Sequence, residues 1–206
     1  DAQVKKISNH ISKKVADRLD ELFRNERSLF EEKWESLKVF VQYGMLSDEK
    51  FYDRAVKFDL VTDIEGKHFT LDEYRTLTEG EQTDKEGQLV WLYTNDRNSQ
   101  YTAIERAKAK GYSVLLLDGP LDVHAVSQLE QKLEKTHFVR VDSDSIDKLI
   151  AKDEQRAVSL SDVEQKALKA LFEGRLPREE KRNYSVSLEA LGADADAVLI
   201  LSLIHI

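Results

Sequence analysis

The 206-residue sequence contains no cysteine, only two prolines and a single methionine. Without cysteine the chain can form no disulfide, no thiolate nucleophile and no cysteine-ligated zinc or iron–sulfur site, which is typical of proteins in a reducing cytosol. Long apolar runs are also missing, since the longest one, at 197–204, is far shorter than the roughly 20 residues of a membrane-spanning helix. We therefore expect a cytoplasmic protein with no signal peptide and no membrane partner.

Charged residues are abundant, with 31 Lys+Arg against 39 Asp+Glu and a formal net charge of −8. The two signs are interspersed, as on a solvated surface, and an acidic chain is a poor partner for nucleic-acid phosphates. The hydrophobic fraction of 41% is enough to bury the core of one large domain or two small ones.

The first 57 residues are predicted to be helical, because their apolar residues recur at steps of three and four. Ser28 and Glu31 have the spacing of a capping box, Gly44 is a stop signal, and Asp48 is a candidate N-cap. The predicted helices span 3–23, 28–44 and 48–57.

Residues 88–142 alternate between strand and helix patterns. Near-continuous apolar runs indicate strands buried on both faces, and such strands pair in parallel beneath crossover helices. Strands are predicted at 88–94, 114–117 and 138–141, and helices at 99–110 and 122–134.

The flanking segments carry weaker signals. They predict a turn at 64–67, a helix over 71–78 opened by a Thr70–Glu73 capping box, a loop over 79–87, helices over 145–151 and 161–173, a strand over 184–191 and a final apolar stretch over 197–204.

The sharpest candidate for chemistry is the segment from Asp118 to Asp122, which lies where the second strand of the alternating region ends and the next helix begins. Carboxylates at the carboxyl ends of parallel strands can hold Mg²⁺ or a phosphate ester, and Asp142 follows the third strand. One hypothesis is therefore a magnesium-dependent phosphoryl-transfer α/β enzyme that uses Asp118, Asp122 and Asp142. The alternative is a Gly-Pro turn in which Asp122 caps the following helix.

Other signs of catalysis are missing from the sequence. The five histidines have no metal-ligand spacing, and the stretch 142–147 lacks the glycine and glutamate of an EF-hand loop. There is no Gly-x-Ser-x-Gly elbow, no Gly-x-Gly-x-x-Gly and no P-loop. We therefore expect no cofactor and no metal in this chain, and a binding module is favoured over an enzyme.

Aromatic residues on the first helices are expected in a core because of their helical spacing. They are Phe23, Phe30, Trp34, Phe40 and Tyr43, of which Trp34 is expected to be partly exposed. An exposed Trp34 within an apolar patch would favour a helical adaptor that binds a partner through residues 3–43.

Six stretches follow one another in an order that is typical of one family. They are 7–23, FEEKW at 30–34, VQYGMLSD at 41–48, FTLDEY at 69–74, LVWLYT at 89–94 and GYSVLLLDGPLD at 111–122. In this order they resemble the middle domain of bacterial members of the heat-shock protein 90 (Hsp90) chaperone family. The resemblance covers nearly the whole chain.

The resemblance implies a fragment of an ATP-dependent chaperone that assists the folding of client proteins. The fold it implies is α/β, with connecting helices over 1–57, a small α/β/α lobe with a three-stranded, mainly parallel sheet over 58–152, and a linker and truncated start of an α+β C-terminal domain over 153–206. The nucleotide site and catalytic loop of the family lie upstream, so no catalytic, ATP or Mg²⁺ site is carried onto this chain. The chain is expected to be a non-catalytic module for coupling and for client contact.

Client contact is implied at three positions on the helix after the Asp118–Asp122 turn, where bacterial members carry an acidic–aromatic pair and an asparagine. The matching residues are Val123, His124 and Ser127, so this sequence departs from the family at all three. Trp34 is the fourth candidate for client contact.

The family is homodimeric, whereas a chain without the dimerisation helices is expected to be monomeric. Residues 201–206 fit nothing in the family and are expected to be a truncated or non-native tail.

Overall fold

The computed structural model describes residues 2–152 and 160–175, together with Val186 and Leu188. Within these residues no helix is long and apolar enough to cross a membrane. The helices are α1 (Ala2–Asn25), α2 (Arg27–Ser47), α3 (Glu49–Ala55), α4 (Leu71–Gln82), α5 (Tyr101–Ala109), α6 (Asp122–Lys132), α7 (Ile146–Leu149) and α8 (Asp162–Glu173). The strands are β1 (Leu60–Thr62), β2 (His68–Thr70), β3 (Leu89–Thr94), β4 (Val114–Leu116) and β5 (Thr136–Arg140).

The three predicted N-terminal helices are present, but the second begins differently from the prediction. A single residue with non-helical geometry, Glu26, separates α1 from α2 (φ −139°, ψ 56°). No side chain caps α2, so the capping box predicted for Ser28 and Glu31 is wrong. Glu31 instead accepts a hydrogen bond from Arg27 Nε at 2.6 Å, one turn earlier on the same helix.

Gly44 does not end α2, which continues to Ser47. Its role is a close approach, since a Cβ built on Gly44 would lie 2.6 Å from Cε1 of Phe51 on α3. Asp48 caps α3 as predicted, accepting hydrogen bonds from the backbone N–H groups of Lys50 at 2.8 Å and Phe51 at 3.3 Å. The glycine and the cap together set how tightly α3 turns back on α2.

The predicted parallel sheet is confirmed, with strand order β4-β3-β5 and both pairs parallel. The register places Leu92 opposite Val114 and Trp91 opposite Phe138. Because β3 is central, it is buried on both faces, as its continuous apolar run predicted.

Alternate residues of β3 enter two different cores. Trp91 packs edge-on against Tyr74 of α4 and Phe138 of β5, each at a centroid distance of 5.2 Å, in a core shared with α2, α3 and α6. On the opposite face, Val90 and Leu92 pack in a second core against α5 and α7. Helices therefore cover both faces of the sheet.

The antiparallel pair β1–β2 was not predicted from the sequence, because each strand has only three residues. The turn between them was predicted, and Gly66 in it has a positive φ of 83°. A hydrogen bond from Ile64 N to Val114 O at 3.0 Å connects this turn to β4 of the parallel sheet.

Helix α4 starts with the predicted Thr70–Glu73 capping box. It runs past its predicted end at 78, through Gly80 to Gln82, so the loop predicted from residue 79 begins later. The extension is held by the buried Gln82 side chain, which donates to Val90 O at 2.8 Å and accepts from Ser113 N at 2.6 Å.

The outer edge of β5 is partly blocked by a side chain. Bonds from Leu89 N to Lys135 O and from Val141 N to Tyr93 O show that odd-numbered residues of β5 face β3. The amide of Phe138 therefore points away from the sheet, and there it donates to Glu130 Oε1 of α6 at 2.7 Å.

The helix predicted over 161–173 is present as α8, and its N-cap Ser161 forms a capping box with Glu164. The predicted strand over 184–191 and the apolar stretch over 197–204 lie outside the described residues, apart from Val186 and Leu188.

Two glycines inside helices give a matched test of the close approach. Gly44→Ala should lower the free energy of unfolding by about 1 kcal/mol or more, because overlap with the buried Phe51 ring outweighs the gain in helix propensity. At Gly80 no heavy atom lies within 4 Å of an added Cβ. Gly80→Ala should therefore raise the free energy of unfolding by about 0.5–1 kcal/mol. Urea unfolding followed by circular dichroism measures both, and changes of equal sign would contradict the assigned role of Gly44.

Candidate functional site

The three positions predicted for client contact lie on the outward surface of α6. Val123 is 66% exposed, and His124 and Ser127 are also exposed. The Ser127 hydroxyl donates to Val123 O at 3.0 Å, which is a bond within the helix and not to another element. The inner side of α6 buries Leu129 against the sheet. Client contact at these positions stays a prediction.

A buried carboxylate fixes α6 against α2. Asp122, the first residue of α6, is 1% exposed. Its Oδ1 accepts from Gln42 Nε2 at 2.7 Å, and its Oδ2 accepts from Lys38 Nζ at 2.8 Å and from Gly119 N at 2.7 Å. We call this group of Lys38, Gln42, Gly119 and Asp122 the α2–α6 junction.

The junction corrects the expected role of Asp122. The Gly-Pro turn is present, but the Asp122 side chain bonds backward to Gly119 and across to α2, and no side chain caps α6. A signal for the partners does exist in the sequence, because Lys38 and Gln42 are polar residues one turn apart on the side of α2 that otherwise buries Trp34, Val41 and Met45.

The magnesium hypothesis is wrong. Asp122 is fully engaged in the junction, Asp118 is exposed, and Asp142 pairs with Arg140. Within the part of the chain that the structure describes, no three His, Cys, Asp or Glu side chains converge as metal ligands would. The described residues therefore do not form the three-carboxylate magnesium site that this hypothesis requires.

Trp34 is 0% exposed, so the prediction that it is partly exposed is wrong. It packs against Phe30 at a centroid distance of 5.6 Å, and Phe30 packs in turn against Phe58, which lies two residues before β1. A buried Trp34 offers nothing to a client and removes the main support for a helical adaptor.

The exposed aromatic residues of α2 are two that were expected in the core. Phe40 is 74% and Tyr43 66% exposed. They lie on the side of α2 opposite the residues that contact α6, which explains why the helical spacing of aromatic residues alone could not separate core from surface.

A second buried carboxylate, Asp59, lies near the junction. Its pKa is raised to about 7, chiefly by burial; the positive charge of Lys38 and a hydrogen bond from the Leu60 backbone act against the rise, and the negative charge of Asp122 adds to it. The sequence signal for a buried acid is that Asp59 stands alone inside the apolar run from Phe58 to Val61.

Removing the cation tests the α2–α6 junction. Lys38→Met should lower the free energy of unfolding by about 3 kcal/mol, because the buried Asp122 loses its only counter-charge in the junction. Lys33→Met removes an exposed lysine from the same helix and should change it by less than about 0.5 kcal/mol. Denaturant unfolding measures both, and two equal small effects would show that the ion pair contributes little.

The raised pKa of Asp59 predicts that the free energy of unfolding depends on pH. The pKa of Asp59 is about 7 in the folded chain, against an ordinary value of 3.8. Between these two pH values the folded state binds a proton that the unfolded state does not bind. The contribution of Asp59 to stability therefore falls as the pH rises toward 7. Asp59→Asn should therefore be stabilising relative to the parent by an amount that grows by up to about 1.4 kcal/mol per pH unit and levels off above pH 7. Urea unfolding at a series of pH values measures this difference, and a constant difference from pH 5 to pH 8 would contradict the assignment.

The amino-acid sequence is similar to those of known proteins. The family model described as Hsp90 protein matches residues 1–185. The chaperone protein HtpG of Porphyromonas gingivalis is 64% identical over 200 residues, and that of Bacteroides fragilis is 53% identical over 200 residues. Each alignment covers 97% of this chain and 29% of the relative, so the chain spans less than a third of the length of these proteins.

A solved structure supports the fold independently. The middle domain of a Plasmodium falciparum heat shock protein superposes with a TM-score of 0.54, covering 70% of this chain and 60% of that chain. At 16% identity this likeness concerns the fold alone. With the family match over most of its length, the chain belongs to the Hsp90 family of chaperones, and it is similar to the bacterial HtpG proteins over nearly all its residues.

Proposed function

We propose that this chain is the part of an ATP-dependent chaperone that couples neighbouring domains and contacts unfolded client proteins. The observation that carries the proposal is the outward surface of α6, which presents Val123 to solvent while the α2–α6 junction holds the helix in place. A client bound on α6 would therefore act on α2 directly, because Asp122 connects the two helices through buried hydrogen bonds.

The proposed role is non-catalytic. It is supported by the separate engagement of Asp122 with Lys38 and of Asp142 with Arg140, so that each of these carboxylates is paired with a cation of its own. In this proposal the chain belongs to a longer cytoplasmic protein that binds ATP and Mg²⁺ elsewhere. The longer protein is homodimeric through segments other than those described. This chain on its own is monomeric.

The chemistry of α6 suits an unfolded partner. Val123 offers an exposed apolar side chain, and His124 adds a ring that can both stack and form hydrogen bonds. Unfolded chains expose apolar side chains beside free backbone groups, so a small mixed surface can bind many of them weakly.

Val123→Asp tests the α6 surface. The substitution should weaken binding of reduced, carboxymethylated α-lactalbumin, a permanently unfolded protein, by about threefold or more, because a charge replaces apolar contact area. Fluorescence anisotropy of the labelled client, titrated with the 206-residue chain, measures the affinity.

Val163→Asp on α8 is the matched control, since Val163 is 78% exposed and lies on another helix. It should leave the affinity unchanged. Equal weakening by both substitutions, or no effect of Val123→Asp on a folded chain, would contradict client contact through α6.

A further inference from the structure

Helix α6 presents an uncharged face to solvent, although 34% of the residues in the chain are charged. All residues of α6 are described, and most of its exposed ones carry no charge when histidine is counted as neutral. The uncharged exposed residues are Val123, His124, Ser127 and Gln131. We call these four residues the neutral face of α6.

The charged residues of α6 are bonded to neighbouring elements. Glu130 Oε1 accepts from Phe138 N of β5 at 2.7 Å, and Lys132 Nζ donates to Glu49 of α3 at 3.1 Å. The third, Asp122, is buried in the α2–α6 junction. A partner bound on the neutral face would therefore meet no charge of α6 directly.

An uncharged face is not common to the helices that cover the sheet. Helix α5, on the opposite side of the sheet, exposes Glu105 and Lys108, whose charged atoms lie 3.8 Å apart. The neutral face is therefore a local property of α6, and it coincides with the surface on which client contact is proposed.

The chemistry of the neutral face disfavours a charged partner. A charged side chain placed against Val123 would lose water without gaining a counter-charge, which is unfavourable. Neutral polar groups lose less, because the Ser127 oxygen can still accept a hydrogen bond while its proton goes to Val123 O at 3.0 Å. The Gln131 amide offers both donors and an acceptor, which match the backbone groups of an unfolded chain.

The length of the neutral face limits the segment that it can contact. From Val123 to Gln131 the helix rises by about 12 Å, at about 1.5 Å per residue. An extended polypeptide advances by about 3.3 Å per residue, so the face matches about four residues of a bound segment.

We infer that the α6 surface selects client segments of about four uncharged residues that include an apolar side chain. The inference rests on the client contact proposed for α6 and adds the class of segment that is bound. The net charge of −8 attracts basic segments at long range, but salt at about 150 mM screens exposed charges beyond about 8 Å. Selection is then left to the residues in contact.

Three short peptides test the inference at pH 7.5 and roughly 150 mM salt, where an ordinary histidine is largely neutral. They share Gly-Ser flanks and a central Leu-Val pair, which is bracketed by serines, lysines or glutamates. Titration of the isotope-labelled chain should give saturable amide shifts at Val123 and Ser127. The serine peptide should bind about threefold more tightly than either charged peptide.

Two substitutions of His124 form a matched pair, because both remove the ring and only one adds a charge. His124→Glu should raise the affinity for the lysine peptide relative to the serine peptide by about threefold. His124→Gln should leave the order of the three peptides unchanged, whatever its overall affinity. Asp118→Asn removes an exposed charge from the turn before α6 and should also leave the order unchanged.

Equal affinities for the three peptides, or tighter binding of a charged peptide to the parent chain, would overturn the inference and leave client contact through α6 in place. If His124→Gln changed the ratio of lysine to serine peptide as much as His124→Glu, the ring and not the charge would determine selection, and the inference would be wrong. Saturable binding of none of the peptides would contradict both this inference and the proposed function.

Discussion

The buried carboxylate of Asp122 constrains how the helical part and the sheet fit together. An ionised group out of water must be surrounded by donors, and here they come from Lys38 and Gln42 on α2 and from Gly119 in the preceding turn. Since α6 cannot shift without leaving that charge unpaired, the register of α2 against the sheet is fixed by hydrogen bonds as well as by apolar packing. Asp59, close enough for its charge to interact with Asp122 and Lys38, adds a second buried acid that favours the protonated form.

Much of this architecture follows from patterns in the sequence. The continuous apolar runs of β3, β4 and β5 predicted a parallel sheet because only strands covered on both faces lack alternation. The Thr70–Glu73 capping box was predicted correctly because the bonds that define it are local. By contrast, Gly44 was misread because a glycine that ends a helix and one that admits a neighbouring ring have the same sequence signature.

The candidate site was harder to predict, because it depends on contacts between distant residues. Helical spacing places Trp34, Phe40 and Tyr43 on α2 but does not show that the core lies on the Trp34 side alone. Carboxylates at the ends of neighbouring strands suggest convergence, yet Asp142 pairs with Arg140 and Asp122 with Lys38. The positions of Val123, His124 and Ser127 came from family resemblance, whereas their exposure could be established only from the fold.

The bond between Glu130 and the Phe138 amide has a consequence for the outer edge of the sheet. An edge strand with free amides is a template on which an extended polypeptide can add as a further strand, and such additions can propagate into aggregates. At Phe138 the outward amide is already occupied by a carboxylate of the same lobe. Backbone pairing with a bound polypeptide is therefore blocked at the middle of β5. A polypeptide that added to this edge would have to displace the Glu130 carboxylate first, so the edge is protected against strand addition by a single side chain of α6.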